Sequence, residues 1–84
     1  MKHAGNEALD QLDELLEEIR RCGELKEKKR GVFYLKSTAF LHFHEDATGI
    51  FADLHAGPEW EQLAVNSRSQ QQKLLRRIRP VLKH

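Results

Sequence analysis

The sequence predicts one small α+β domain over residues 1–84, built as a helix, a three-stranded antiparallel meander and a second helix in two layers. Three observations lead to this fold class. Leucines near the amino terminus recur at helical spacing, the middle of the chain is rich in aromatic and β-branched residues, and a second helical stripe follows. A chain of this length holds one hydrophobic core, which leaves no room for a cleft between two domains.

The first helix is predicted over residues 6–22. Its apolar face consists of Leu9, Leu12, Leu15, Leu16 and Ile19. Asn6 is a suitable N-cap, and Gly23 can take the left-handed conformation that ends many helices. The stripe covers only two heptads, fewer than a free-standing coiled coil needs, so we expect it to pack on a sheet.

The strands are predicted over residues 32–35, 39–44 and 50–55. Turns at 36–38 and 46–49 separate them, and Gly49 is available for a positive φ angle. A fourth strand, at the edge of the sheet, fits residues 61–65. Residues 24–30 are polar and are predicted as a connector with room for a helical turn.

The second helix is predicted to begin at Asn66 or Ser67, because Ser67 followed by Gln70 matches a capping box. Its apolar stripe consists of Leu74, Leu75, Ile78, Val81 and Leu82. Pro80 lies inside this stripe and is expected to kink or loosen the last turn.

Composition and motifs exclude several classes of protein. A single cysteine, Cys22, cannot form an intrachain disulfide, which favours a reducing, cytoplasmic location. Residues 1–5 lack the apolar region of a secretory signal, and no apolar stretch approaches the roughly 20 residues of a membrane span. No nucleophile–base set, phosphate loop or cofactor motif is visible, so we expect neither an enzyme nor a cofactor.

Strand alternation divides the predicted sheet into two faces. With a two- or four-residue loop in the second hairpin, one face is wholly apolar: Val32, Tyr34, Ala39, Leu41, Phe43, Ile50, Ala52 and Leu54. The other face then holds Phe33, Leu35, Phe40, His42, His44, Phe51, Asp53 and His55. A three-residue loop with a bulge at Gly49 would break this sorting. We favour the first register because it makes one face suitable as the core.

The second face predicts a partner surface. Two helices cover only one face of a small sheet, so Phe33, Phe40 and Phe51 are expected to be buried by a protein partner, most simply a second copy of the chain. The alternative is that the polar connector or the segment around Trp60 folds over them.

The histidines of the second face suggest a metal site. His42 and His44 share one strand face, and Asp53 and His55 are predicted to face them from the neighbouring strand. Three imidazoles and a carboxylate could bind Zn²⁺ or Fe²⁺. The alternative is a solvated rim of polar cross-strand pairs.

The basic residues of the second helix suggest contacts with phosphates. Residues 67–84 contain six basic residues and no acid, whereas residues 1–25 contain seven acids and three bases. The nucleic-acid candidates are Arg68, Lys73, Arg76, Arg77 and Arg79. Pairing between the acidic first helix and the basic second helix explains both charge runs without a ligand.

The stretch from Phe33 to Leu63, with residues 36–46 at its centre, resembles the sheet of small YjbR/MmcQ-type proteins over about a third of the chain. That resemblance implies a CyaY-like (frataxin-like) helix–sheet–helix fold, and the group is often labelled DNA-binding. Iron binding by an acidic first helix, as in frataxins, would map onto Asp10, Asp13, Glu14, Glu17 and Glu18.

The interpretation that combines these observations is a non-enzymatic interaction domain, homo-oligomeric through its apolar sheet face. A nucleic-acid-binding module that uses the basic second helix is the first alternative. A metal-binding protein that uses the histidine-rich strand face is the second alternative. No membrane partner is expected.

Overall fold

The computed structural model describes residues 2–82 and confirms the α+β class. The elements in chain order are β1 (Lys2–His3), α1 (Asn6–Gln11), α2 (Asp13–Arg20), β2 (Leu25–Lys29), β3 (Val32–Leu35), β4 (Thr38–Asp46), β5 (Gly49–Leu54), β6 (Glu61–Ala64) and α3 (Arg68–Leu82). The predicted meander and both terminal helical regions are present. Two strands, β1 and β2, were not predicted.

The strands form one antiparallel sheet in the order β2-β3-β4-β5-β6, so each of these strands pairs with the next one along the chain. The short strand β1 pairs with β4 outside this path, and His3 lies opposite His44 there. The amide of Ala4 extends this contact by donating to the carbonyl of Phe43 at 3.0 Å. The amino-terminal residues are therefore part of the sheet.

The first helical region is two helices, so the prediction of one helix over 6–22 is wrong. Leu12 interrupts it with φ −104° and ψ 16°, and its amide bonds to the carbonyl of Leu9, three residues back. The tighter turn redirects the chain without interrupting the apolar stripe, because Leu12 itself is buried. The N-cap position is Gly5 and not Asn6, whereas Gly23 has the positive φ angle that its position predicts.

The polar segment 24–30 contains strand β2 instead of a connector. Leu25 and Glu27 are half-buried, while the lysines on the strand are exposed at the edge of the sheet. The Glu27 carboxylate accepts hydrogen bonds from Arg20 Nε at 2.7 Å and from the Gly31 amide at 3.0 Å. Lysines on an edge strand discourage pairing with other chains. They also make the segment too polar to be recognised as a strand from its sequence.

A β-bulge in β4 shows that the predicted assignment of residues to the two faces of the sheet is wrong for the hairpin of β3 and β4. Phe33 pairs with Leu41 and Tyr34 pairs with Ala39, so Phe40 is the extra residue between them. Phe40 and Leu41 are therefore both buried, and Phe33 joins them on the core side. Strand β3 is consequently turned over relative to the prediction.

The helices cover one face of the sheet, and the hydrophobic core lies between the helices and that face. Five residues predicted to lie in this core, Leu12, Leu15, Leu16, Leu75 and Ile78, are at most 2% exposed. Each such side chain contributes about 1.5–3 kcal/mol through burial. We call this side of the sheet the core face.

Helix α3 begins with the predicted capping contacts. The Gln70 amide donates to Ser67 Oγ at 3.2 Å, and the Asn66 amide donates to Gln70 Oε1 at 2.7 Å. The helix continues through Pro80 to Leu82. None of the helices within residues 2–82 is long and apolar enough to cross a membrane.

Candidate metal centre on the open face of the sheet

The side of the sheet opposite the helices, here called the open face, carries several half-buried polar and aromatic side chains. It includes His3, Val32, Tyr34, His42, His44, Phe51 and Asp53. The register of β4 and β5 places His42 opposite Asp53 and His44 opposite Phe51. The two-residue loop between Asp46 and Gly49 produces this register, so the prediction for the second hairpin is confirmed.

Three histidines meet on the open face. His42 and His44 are two residues apart on β4, with ring centroids 4.8 Å apart. The ring of His3, brought in by β1, lies 5.7 Å from that of His42 and 5.1 Å from that of His44. One potential ligand nitrogen from each ring lies within 4.8 Å of the others. We call these three residues the histidine cluster.

Asp53 lies beneath the histidine cluster. Its Oδ2 is 2.7 Å from Nδ1 of His44 and 3.9 Å from Nδ1 of His42. Both Nδ1 atoms are buried and have no well-aligned hydrogen-bond partner within residues 2–82. The 2.7 Å distance is therefore a close contact that lacks the alignment of a hydrogen bond.

Burial lowers the pKa of His42, and the neighbouring His44 lowers this pKa further, while Asp53 opposes both effects. The neutral form of the His42 imidazole is therefore favoured. A neutral imidazole has one nitrogen with an available lone pair, which is the form that binds metals.

His55 lies outside the histidine cluster, contrary to the prediction that it faces His42 and His44. Strand β5 ends at Leu54, and the His55 ring stacks on Trp60 with centroids 4.8 Å apart and planes 16° apart. Trp60 also contacts the ring of His42 at 5.0 Å. Trp60 is 47% exposed, so it forms an accessible aromatic wall beside the cluster.

The predicted partner surface of three phenylalanines does not exist as one surface. Phe33 and Phe40 lie in the core at 1% and 2% exposure, because of the bulge in β4. Phe51 alone is on the open face, where it is half-buried. Self-association stays a prediction, but the surface of three phenylalanines on which it was based is absent from the folded domain.

The basic side chains of α3 are exposed, but several of them are paired with acids. Arg68 contacts Glu18 at 2.7 Å, Arg77 contacts Glu61 at 2.8 Å, and Arg79 lies 3.9 Å from Glu18. Pairing between the acidic and basic helices therefore accounts for part of the charge pattern. Lys73 and Arg76 also lie exposed on α3, and nucleic-acid binding stays a prediction.

The acids of the first helical region are also used within the chain. Arg30 reaches Asp10 at 2.6 Å and Asp13 at 3.4 Å, and Arg20 lies 3.3 Å from Glu17. The Arg30 contacts join the first helical region to the turn between β2 and β3, whereas the contact between Arg20 and Glu17 lies within α2. Glu14 and Glu18 also lie on α2, where Glu18 contacts Arg68.

Comparison with known proteins gives no match: no family model, no curated protein and no solved structure is significantly similar to this chain. The resemblance to YjbR/MmcQ-type proteins consequently stays a prediction.

Sequence reasoning found two of the three clustered histidines and missed His3. Strand alternation and a two-residue loop were enough to bring His42 and Asp53 together. His3 precedes both helices in the chain, and no periodicity or turn signal predicts that it pairs with His44. Its only signal in the sequence is its residue type.

Proposed function

We propose that this domain binds a divalent transition-metal ion, with Zn²⁺ as the best-matched ion, through His3, His42 and His44. The observation that carries the proposal is the convergence of these three imidazoles on the open face, with the Asp53 carboxylate behind them. Imidazole nitrogens suit Zn²⁺, Cu²⁺, Ni²⁺ and Fe²⁺, whereas Ca²⁺ and Mg²⁺ prefer oxygen ligands.

The spacing of the rings suits a metal after a small adjustment. A Zn–N bond of about 2.0–2.1 Å places two nitrogens of a tetrahedral site about 3.3 Å apart. The candidate nitrogens lie within 4.8 Å of one another, so they must approach by about 1.5 Å at most. His3 is exposed and can supply much of this movement by rotating its side chain.

The Asp53 carboxylate supports the proposal as an outer partner of the ligands. Metal-binding histidines usually donate their second ring N–H to a carboxylate or carbonyl, which fixes the tautomer and the orientation of the ring. The buried Nδ1 of His44 lies 2.7 Å from Asp53 Oδ2, close enough for such a hydrogen bond once the ring and the carboxylate align. A metal would then bind the Nε2 atoms of His42 and His44.

Titration calorimetry of the untagged chain with Zn²⁺ tests the proposal. We expect one equivalent to bind, and His44→Ala or His3→Ala to weaken binding by about a hundredfold or more. Asp53→Ala should cost about 10–100-fold, as the loss of an outer hydrogen-bond partner typically does.

His55→Ala is the matched control, because His55 lies on the same side of the sheet but stacks on Trp60 outside the cluster. Its affinity for Zn²⁺ should equal that of the parent chain. Absence of binding at millimolar Zn²⁺, or equal losses for His44→Ala and His55→Ala, would rule out this site.

A further inference from the structure

The histidine cluster has a feature that metal binding alone does not explain, which is the aromatic wall formed by Trp60. We infer that a metal held there keeps one coordination position open, and that this position takes a carboxylate anion whose aromatic group packs against Trp60. This inference rests on the proposed function and names the class of ligand for the same site.

The open position follows from the number of ligands. Three imidazoles supply three of the four positions of a tetrahedral ion, and a site with three protein ligands and one exchangeable ligand is typical of reactive zinc centres. Asp53 is the nearby carboxylate, but it lies against Nδ1 of His44. The two nitrogens of an imidazole point in different directions, so a carboxylate oxygen placed beside Nδ1 lies away from a metal bound on Nε2.

The charge of the site selects an anion. The three ligands are neutral imidazoles when they bind a metal, so only the nearby Asp53 carboxylate offsets the double charge of the ion and the site stays positive. A carboxylate oxygen is a common ligand of Zn²⁺ at about 2.0–2.2 Å. The side chains of His42 and His44 are 22% and 18% exposed, and His3 lies at the surface, so a small molecule can approach from the open face.

Trp60 provides the preference for an aromatic group. Its ring centroid lies 5.0 Å from that of His42, and a metal on this histidine would lie about 3 Å from the ring centre. Trp60 is therefore within about 8 Å of the metal, a distance that the phenyl ring of a bound benzoate can bridge. Among residues 2–82, Trp60 is the large hydrophobic side chain that is exposed, and it stands beside this cluster.

The experiment uses the full chain loaded with Co²⁺ in place of Zn²⁺, because tetrahedral Co²⁺ absorbs visible light and its spectrum changes when a ligand is exchanged. Acetate and benzoate are titrated into separate samples. We expect both to change the spectrum with saturation, and benzoate to bind about three- to tenfold more tightly, the usual advantage of an aromatic pair.

Two variants separate the role of Trp60 from a general effect on the face. Trp60→Ala should abolish the preference for benzoate while leaving the affinity for acetate unchanged. Tyr34→Ala is the matched control, because Tyr34 is an aromatic residue of the open face whose ring contacts Lys28 away from the cluster. It should leave both affinities unchanged.

Each other result overturns a defined part of the argument. A Co²⁺ spectrum that neither anion alters shows a closed site, which overturns this inference and leaves the proposed function standing. Equal affinities for the two anions, or a preference that survives in Trp60→Ala, overturn the role of Trp60. Absence of a Co²⁺ spectrum together with absence of Zn²⁺ binding in the calorimetry overturns the proposed function and the inference with it.

Discussion

Replacing Phe40 tests the bulge that separates the observed fold from the predicted one. Phe40 is 2% exposed in the core, whereas Phe51 is half-buried on the open face. Truncation of a buried phenylalanine to alanine costs about 3–5 kcal/mol, because the apolar contacts are lost and a cavity remains. Phe51→Ala should cost about 1 kcal/mol, as is usual for a partly exposed side chain.

The loss of stability expected for Phe40→Ala is large compared with the stability of the whole domain. A chain of 84 residues typically has a free energy of unfolding of about 4–13 kcal/mol. With a urea m-value of about 1–1.5 kcal/mol/M, Phe40→Ala should lower the urea midpoint by about 2 M or more. Phe40→Leu, at about 1–2 kcal/mol, keeps the test informative if the alanine variant does not fold.

The assay is urea unfolding followed by far-ultraviolet circular dichroism, together with sedimentation of each variant in the absence of urea. The reasoning would be refuted if Phe40→Ala kept the midpoint of the parent chain, or if Phe51→Ala lost as much stability as Phe40→Ala. A change in association state without a change in stability for Phe40→Ala would restore the predicted partner surface.

Two further perturbations test the edge of the sheet. The hydrogen bond from Arg20 lowers the pKa of Glu27, so this carboxylate stabilises the fold above its unfolded pKa and loses that effect as the pH falls through the folded pKa. Glu27→Gln should therefore cost about 1 kcal/mol at pH 7 and progressively less as the pH falls below the usual range of a glutamate, measured as urea midpoints across this pH range. A loss independent of pH contradicts this. Gly31→Ala should cost about 2 kcal/mol, because φ is +79° and the added Cβ would lie 2.8 Å from Leu9 Cδ2. Gly23→Ala, at φ +81° with nothing within 4 Å, should cost about half as much, and equal losses would remove the role of Leu9.

The sequence predicted those parts of the fold in which the spacing of apolar side chains matches the period of a regular helix or strand. The leucine stripes of the helices and the alternation along β4 and β5 are strong periodic signals, and the two-residue loop fixed the register of His42 and Asp53. The capping contact of Ser67 was also predictable, because it depends on residues only three positions apart.

The missed parts depend on contacts between distant segments. The bulge at Phe40 arises because both Phe40 and Leu41 gain a place in the core, and no local pattern distinguishes this from regular alternation. Strand β2 carries mostly charged residues, so it lacks the apolar alternation by which a strand is recognised in a sequence. His3 completes the histidine cluster only because β1 returns to β4, a pairing that is set by the folded sheet.

The order of the strands has a consequence for how the domain folds. His42 and His44 belong to the β4–β5 hairpin, whose loop is two residues long, and such hairpins form in about 1–10 μs. His3 must return across about forty positions to reach His44, which costs about 2–3 kcal/mol more in loop-closure entropy. We therefore expect the hairpin to form early and β1 to dock late. A metal bound by His42 and His44 in the early hairpin would speed the docking of β1 onto β4. The same metal would slow the dissociation of β1 from β4 in the native state.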